Sequence, residues 1–141
     1  MNIHANYKHS ELTDTIIGVF YDVYNELGFG FLESVYRNSL LIALREKGLA
    51  AEQEVATAVY FRGNKVGDFK ADLVVNGSIL IELKTAETLS PAHEAQVLNY
   101  LRATSLELGL LFNFGPKPQV RRLLFDNDRK RVKVQRAGGS I

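Results

Sequence analysis

Asp72-Leu73-Val74-Val75-Asn76-Gly77-Ser78-Ile79-Leu80-Ile81-Glu82-Leu83-Lys84 reads as two strands around a tight turn. Asp68 to Val75 and Ser78 to Lys84 are rich in β-branched and apolar residues, and Asn76-Gly77 is a strong hairpin signal. Alternate side chains of a strand share a face, so Glu82 and Lys84 point one way while Ile79, Ile81 and Leu83 point the other. A two-residue turn would put Asp72 opposite Ile81, and Asp72 and Glu82 would then face opposite sides of the sheet. A three-residue loop, Asn76-Gly77-Ser78, or an equivalent bulge brings the two carboxylates together, and this odd-length connection is the expectation.

Paired carboxylates beside an apolar core repel each other unless a cation lies between them, so Asp72 and Glu82 ask for a divalent metal. Oxygen donors suit Mg²⁺ or Mn²⁺. Lys84 would stand beside a metal-activated water and stabilise charge developing on a phosphate. The competing reading is a salt bridge on an exposed strand face, worth about 0.5 kcal/mol.

Outward from this hairpin, apolar residues at helical spacing predict a helix from Ser10 to Gly28 and a second from Leu32 to Lys47. Val55 to Phe61 reads as a strand, with a turn at Gly63-Asn64 before the next. Ser90-Pro91 opens a helix running to about Thr104. Leu108 to Phe114 and Val120 to Phe125 complete the order ααβββαββ, an α/β fold with a mixed β-sheet flanked by α-helices. The 141 residues suit one domain over residues 1–126, with 127–141 as a poorly packed basic tail.

Two helices add polar residues at one-turn spacing. Glu33 and Tyr36 stand three apart in Gly30-Phe31-Leu32-Glu33-Ser34-Val35-Tyr36. Gln96 and Tyr100 stand four apart, with His93 one turn before Gln96. Either stripe alone is commonly just the wet face of an amphipathic helix.

Net charge is +1, but it is segregated: residues 116–141 carry eight Lys or Arg against two Asp, and residues 1–115 carry nine against fourteen Asp or Glu. The strip Arg121, Arg122, Arg129, Lys130, Arg131, Lys133 and Arg136 would attract a polyanion or simply be a solvated tail. The absence of cysteine excludes disulfides, thiolate metal sites and cysteine nucleophiles. No apolar run approaches membrane-spanning length and the first residues lack signal-peptide order, so a cytoplasmic protein without membrane association is expected. His93-Glu94 begins like a zinc-protease helix, but Val97 replaces the second histidine. Asn76-Gly77-Ser78 is better read as a turn than as a glycosylation site, and no glycine-rich phosphate loop is present.

Taken together, Gly30, Glu33 and Tyr36 resemble the motif of the GxxExxY proteins. Asp72, Glu82-Leu83-Lys84 and Gln96 to Tyr100 resemble the site of PD-(D/E)xK nucleases with a RecB-like QxxxY helix. The resemblance spans roughly residues 15–125. It implies a restriction-endonuclease-like core and a Mg²⁺-dependent (or Mn²⁺-dependent) nuclease acting on DNA, with RNA as the alternative. It further implies metal ligation by Asp72, Glu82, the Leu83 carbonyl and Glu33, with Lys84 as the catalytic lysine. Gln96 and Tyr100 would support the scissile phosphate or the lysine. Tyr36 and His93, with Arg129, Lys130 and Arg131 of the basic strip, are the candidate nucleic-acid contacts; His93 also reads as a plain first-turn residue. Ala71 stands where the superfamily name has proline, which is not a ligand. A core of this size has few elements to wrap a duplex, so a homodimer or partner protein is expected. The alternative function is a catalytically silent nucleic-acid-binding or protein-interaction module on the same fold.

Overall fold

The computed structural model describes residues 9–130, and Arg131, Lys133 and Arg136 of the basic strip lie outside them. The elements follow the expected order: α1 Ser10–Leu27, α2 Glu33–Glu46, β1 Ala51–Phe61, β2 Asn64–Val75, β3 Ile79–Lys84, α3 Pro91–Ala103, β4 Leu108–Phe114 and β5 Pro118–Leu124. They build one five-stranded sheet in the order β1-β2-β3-β4-β5. Neighbouring strands are antiparallel except β3 and β4, whose parallel pairing follows from the crossover through α3. This is a restriction-endonuclease-like α/β arrangement.

Helices cover both faces. Ile16, Val19, Phe20 and Val23 of α1 and Tyr36, Leu40 and Leu44 of α2 pack with Leu73, Ile79, Ile81, Leu83 and Leu110. Aromatic stacking tightens this layer: Phe20 lies 4.4 Å from Phe112 and Tyr36 lies 4.2 Å from Phe114, ring centre to ring centre. On the opposite face Val97, Tyr100 and Leu101 of α3 pack with Val74, Leu80 and Leu111. Strands β3 and β4 are therefore buried on both sides, which is why their sequences are nearly continuous apolar runs. Glu82 is the exception in β3, a carboxylate on the α3 side of a doubly covered strand.

The decisive loop has odd length. Val75 pairs with Ile79, Val74 with Leu80 and Leu73 with Ile81, leaving Asn76-Gly77-Ser78 as a three-residue connection and Asp72 opposite Glu82. The first hairpin differs from expectation. Its turn is Arg62-Gly63, both with positive φ (50° and 79°), and β1 and β2 extend past their predicted ends to Ala51 and Asn64. Backbone pairing carries the ladder through polar residues that periodicity alone assigns to loops.

The segment after Asp126 also differs. Asn127–Arg129 forms a short 3-10 turn, and the Lys130 ammonium donates to the carbonyls of Thr104 (2.7 Å) and Leu106 (2.8 Å) and to Asn127 Oδ1. A cation beside the last carbonyls of α3 is where the helix dipole favours one. Residues 127–130, expected in the loose tail, are thus anchored on the segment that follows the sheet-covering helix. Among the described residues no helix is long and apolar enough to cross a membrane.

Candidate active site

The backbone ladder between β2 and β3 runs through Leu73–Ile81, and at the next position side chains replace it. The Asp72 amide donates to Glu82 Oε1 (3.2 Å), and the Leu83 amide donates to Asp72 Oδ2 (2.8 Å). Each carboxylate thereby satisfies an amide that the diverging strands leave without a carbonyl partner. Both acids occupy one gap, as the three-residue loop requires. Glu82 is 5% exposed, whereas Asp72 is only partly buried.

Burial, followed by the charge of Asp72, pushes the Glu82 carboxyl from 4.5 up to about 8. Desolvation is also the main cause raising Asp72, opposed by the hydrogen bond from Leu83 and by Arg37 and Lys84. Glu33 is exposed as a residue at the first position of α2, yet partial desolvation and then Asp72 raise its carboxyl, while Lys84 and Arg37 lower it. Lys84 thus acts electrostatically on all three acids. The site holds more negative charge than its solvation supports, which is the condition under which a cation binds.

Two residues of this cluster carry no signal in the sequence. Arg37, one turn after Glu33, bridges to Glu54 at 3.5 Å, and its buried Nε has no hydrogen-bond partner among the described residues. Glu54 lies on β1 between the pairs Gln53–Leu73 and Val55–Ala71, and so stands opposite Asp72. Its φ of 53° costs a non-glycine residue about 1 kcal/mol, a local strain at the edge of the site. A left-handed residue inside a strand has no periodic signature. Only the fold places Glu54 beside Asp72.

The structure separates the other candidates. Tyr36 is a correction: it is fully buried, its hydroxyl donates to Gly28 O (2.6 Å) and accepts from Phe31 N (3.3 Å), and it cannot touch nucleic acid. Tyr100 clamps β2, accepting from Lys70 N (3.0 Å) and donating to Lys70 O (2.5 Å), two residues before Asp72. It therefore reaches the site through the backbone, although Glu82 and Asp72 contribute, after desolvation, to raising its pKa. Gln96 is exposed one turn before Tyr100 and makes no hydrogen bond among the described residues to Asp72, Glu82 or Lys84. His93 accepts from the Ser90 amide through Nδ1 (3.1 Å), the plain first-turn role, with Nε2 on the other side of the ring. Lys130 is committed to backbone carbonyls, which corrects its assignment as a nucleic-acid contact; Arg129 is exposed and lies over the Phe125 ring.

Among the described residues no three His, Cys, Asp or Glu side chains close into a metal cage. The donor set still suits a hard cation. Asp72 Oδ1 and Glu82 Oε2 accept no hydrogen bond from the described residues, and Mg²⁺ is commonly held by one or two carboxylates with waters completing its shell.

Paired acids in a strand gap beside a lysine, on a mixed sheet covered by helices, define a nuclease-type fold and site. Residues 10–123 match the PD-(D/E)XK nuclease superfamily, and the chain belongs to that family. Among solved structures it is similar to the crystal structure of SSO0001, with a TM-score of 0.54 and 25% sequence identity over 87% of this chain. The match covers 62% of that longer chain. No curated protein matches.

Proposed function

We propose that this protein is a metal-dependent nuclease that hydrolyses phosphodiester bonds of DNA, RNA being the alternative polymer. The observation that carries the proposal is the reciprocal Asp72–Glu82 arrangement, two desolvated carboxylates sharing one gap beside Lys84 and Glu33. Asp72 and Glu82 would hold Mg²⁺ or Mn²⁺, with the Leu83 carbonyl and Glu33 completing the protein's share of the ligands. A bound divalent cation supplies charge neutralisation at the phosphate and a lower pKa for water.

The chain's own residues supply position. Amides of Asp72 and Leu83 fix the carboxylate rotamers, so the acids need little reorganisation on binding. Lys84, on the same strand face as Glu82, faces a substrate phosphate as a cation and stabilises charge that develops during in-line attack. Arg37 offsets part of the charge of Glu33 and Asp72, and Tyr100 holds the β2 backbone that carries Asp72. Gln96, exposed on α3, is free to meet a substrate phosphate from solvent. Exposed Arg121 and Arg122 of β5 and Arg129 would attract the polyanion, and a second copy or partner protein would extend the grip on a duplex.

The test incubates linear, circular, single- and double-stranded substrates with Mg²⁺, Mn²⁺ or chelator. Cleavage that requires metal and disappears in Lys84→Ala supports the reading. Binding without cleavage under every condition would instead support the silent nucleic-acid-binding module.

A further inference from the structure

A pocket of about 280 Å³ is lined among others by Phe29, Phe31, Thr85, Glu87, Gly115 and Pro116. Both of its walls are joined along the chain to residues of the candidate site. Phe31 is two residues before Glu33, and Thr85 follows Lys84.

The pocket is built rather than incidental. Phe29 and Phe31 are 61% and 48% exposed, a cost an ordinary surface loop avoids, yet the loop bearing them is fastened. The buried Tyr36 hydroxyl bonds both Gly28 O and Phe31 N, at either end of the segment that carries the aromatic pair. Opposite, the buried Asn113 side chain bonds both the amide (2.9 Å) and the carbonyl (3.0 Å) of Ala86, between Thr85 and Glu87. Gly115 permits the close approach: a Cβ there would sit 2.1 Å from the Ala86 oxygen. Rigid walls thus present two aromatic rings to solvent.

The lining specifies the occupant. Among the described residues no Lys or Arg lines the pocket, and Glu87 opposes an anion, so the lining disfavours a phosphate. A flat, neutral ring system stacks on phenylalanine, and an exocyclic amino group donates to a carboxylate. The volume falls just below the range typical of drug-sized ligands, which suits a single ring system. A base can enter only if it is unpaired.

We propose that this pocket receives an unpaired nucleobase of the substrate, stacked on Phe29 and Phe31 with its amino edge toward Glu87, so that the preferred substrate is single-stranded or has a frayed end. The inference rests on the nuclease reading for its choice of polymer, and its test separates the two.

The probe is a single-stranded oligonucleotide containing 2-aminopurine, titrated with the full chain in chelator, alongside a blunt duplex. The parent should quench the fluorophore. Phe29→Ala/Phe31→Ala should weaken single-strand binding about 5- to 150-fold, the range for one stacked base, and change duplex binding less than about twofold. Both rings are exposed, so thermal melting should confirm that the variant folds. Phe31→Tyr should retain quenching. Absence of quenching in the parent, or equal losses for single strand and duplex, would overturn the proposal. Quenching without cleavage by the parent would refute the nuclease reading and leave the pocket standing, whereas cleavage indifferent to both phenylalanines would do the reverse.

Discussion

Replacing Glu82 by Gln removes a charge from the gap between β2 and β3 while keeping an oxygen that accepts from the Asp72 amide. In the metal-free protein the folded pKa of Glu82 is raised from 4.5 to about 8, so the native state takes up a proton across that interval relative to the unfolded chain. The sign follows: the stability associated with the protonated form is fully present below about pH 4.5 and is lost as pH rises through about 8. At 1.36 kcal/mol per pH unit, roughly 3 kcal/mol disappears between pH 4.5 and pH 7. A domain of this size changes its melting temperature by roughly 3–5 °C per kcal/mol, so the expected fall is about 10 °C. Glu82→Gln does not titrate there. Its melting temperature should match the parent near pH 4.5 and exceed it increasingly toward pH 8, measured in chelator by circular dichroism. Parallel curves for parent and variant from pH 4.5 to pH 8 would refute the argument that Glu82 is an ionisable group whose burial outweighs the counter-charge of Lys84. A parent more stable than the variant at pH 8 would return Glu82 to a salt bridge with Lys84.

Mg²⁺ or Mn²⁺ should raise the parent's melting temperature by several degrees at neutral pH, about 2.7 kcal/mol of stabilisation at a hundredfold excess over Kd, and Glu82→Gln should abolish the rise. Gly115→Ala should cost about 2–3 kcal/mol in urea unfolding, because the added Cβ meets the Ala86 carbonyl at 2.1 Å. Tyr100→Phe leaves the Lys70 amide without its hydroxyl partner and should lose about 1–3 kcal/mol together with cleavage rate, read from melting and from single-turnover kinetics. Neutralising Arg129 and Arg131 should flatten the salt dependence of duplex binding by about 0.9 in log-log slope for each phosphate these side chains no longer neutralise, while turnover of bound substrate survives. An unchanged slope would remove these two side chains from the nucleic-acid contacts.

Much of this protein is local physics and so is legible in the chain. Helical spacing of Leu12, Ile16, Val19, Phe20 and Val23 defines α1, and Gly28 ends it with φ +69°, a conformation open to glycine. The short apolar run Ile79-Leu80-Ile81, resumed at Leu83, marks a buried strand in which the one acid, Glu82, demands compensation. Even the odd loop is derivable, since only that register puts Asp72 opposite Glu82. Tertiary structure decides what depends on distant partners. Tyr36 and Lys130 look like surface binders by residue type, but packing against Phe114 and the end of α3 commits them to the scaffold. Glu54 and Arg37 join the site because β1 lies beside β2 and α2 lies over the sheet. Phe29 and Phe31 read as ordinary apolar residues until Tyr36, Asn113 and Gly115 hold the walls that leave them facing solvent. Periodicity reports which face of an element is buried; which elements meet, and which atoms remain over once they have met, is a property of the three-dimensional packing alone.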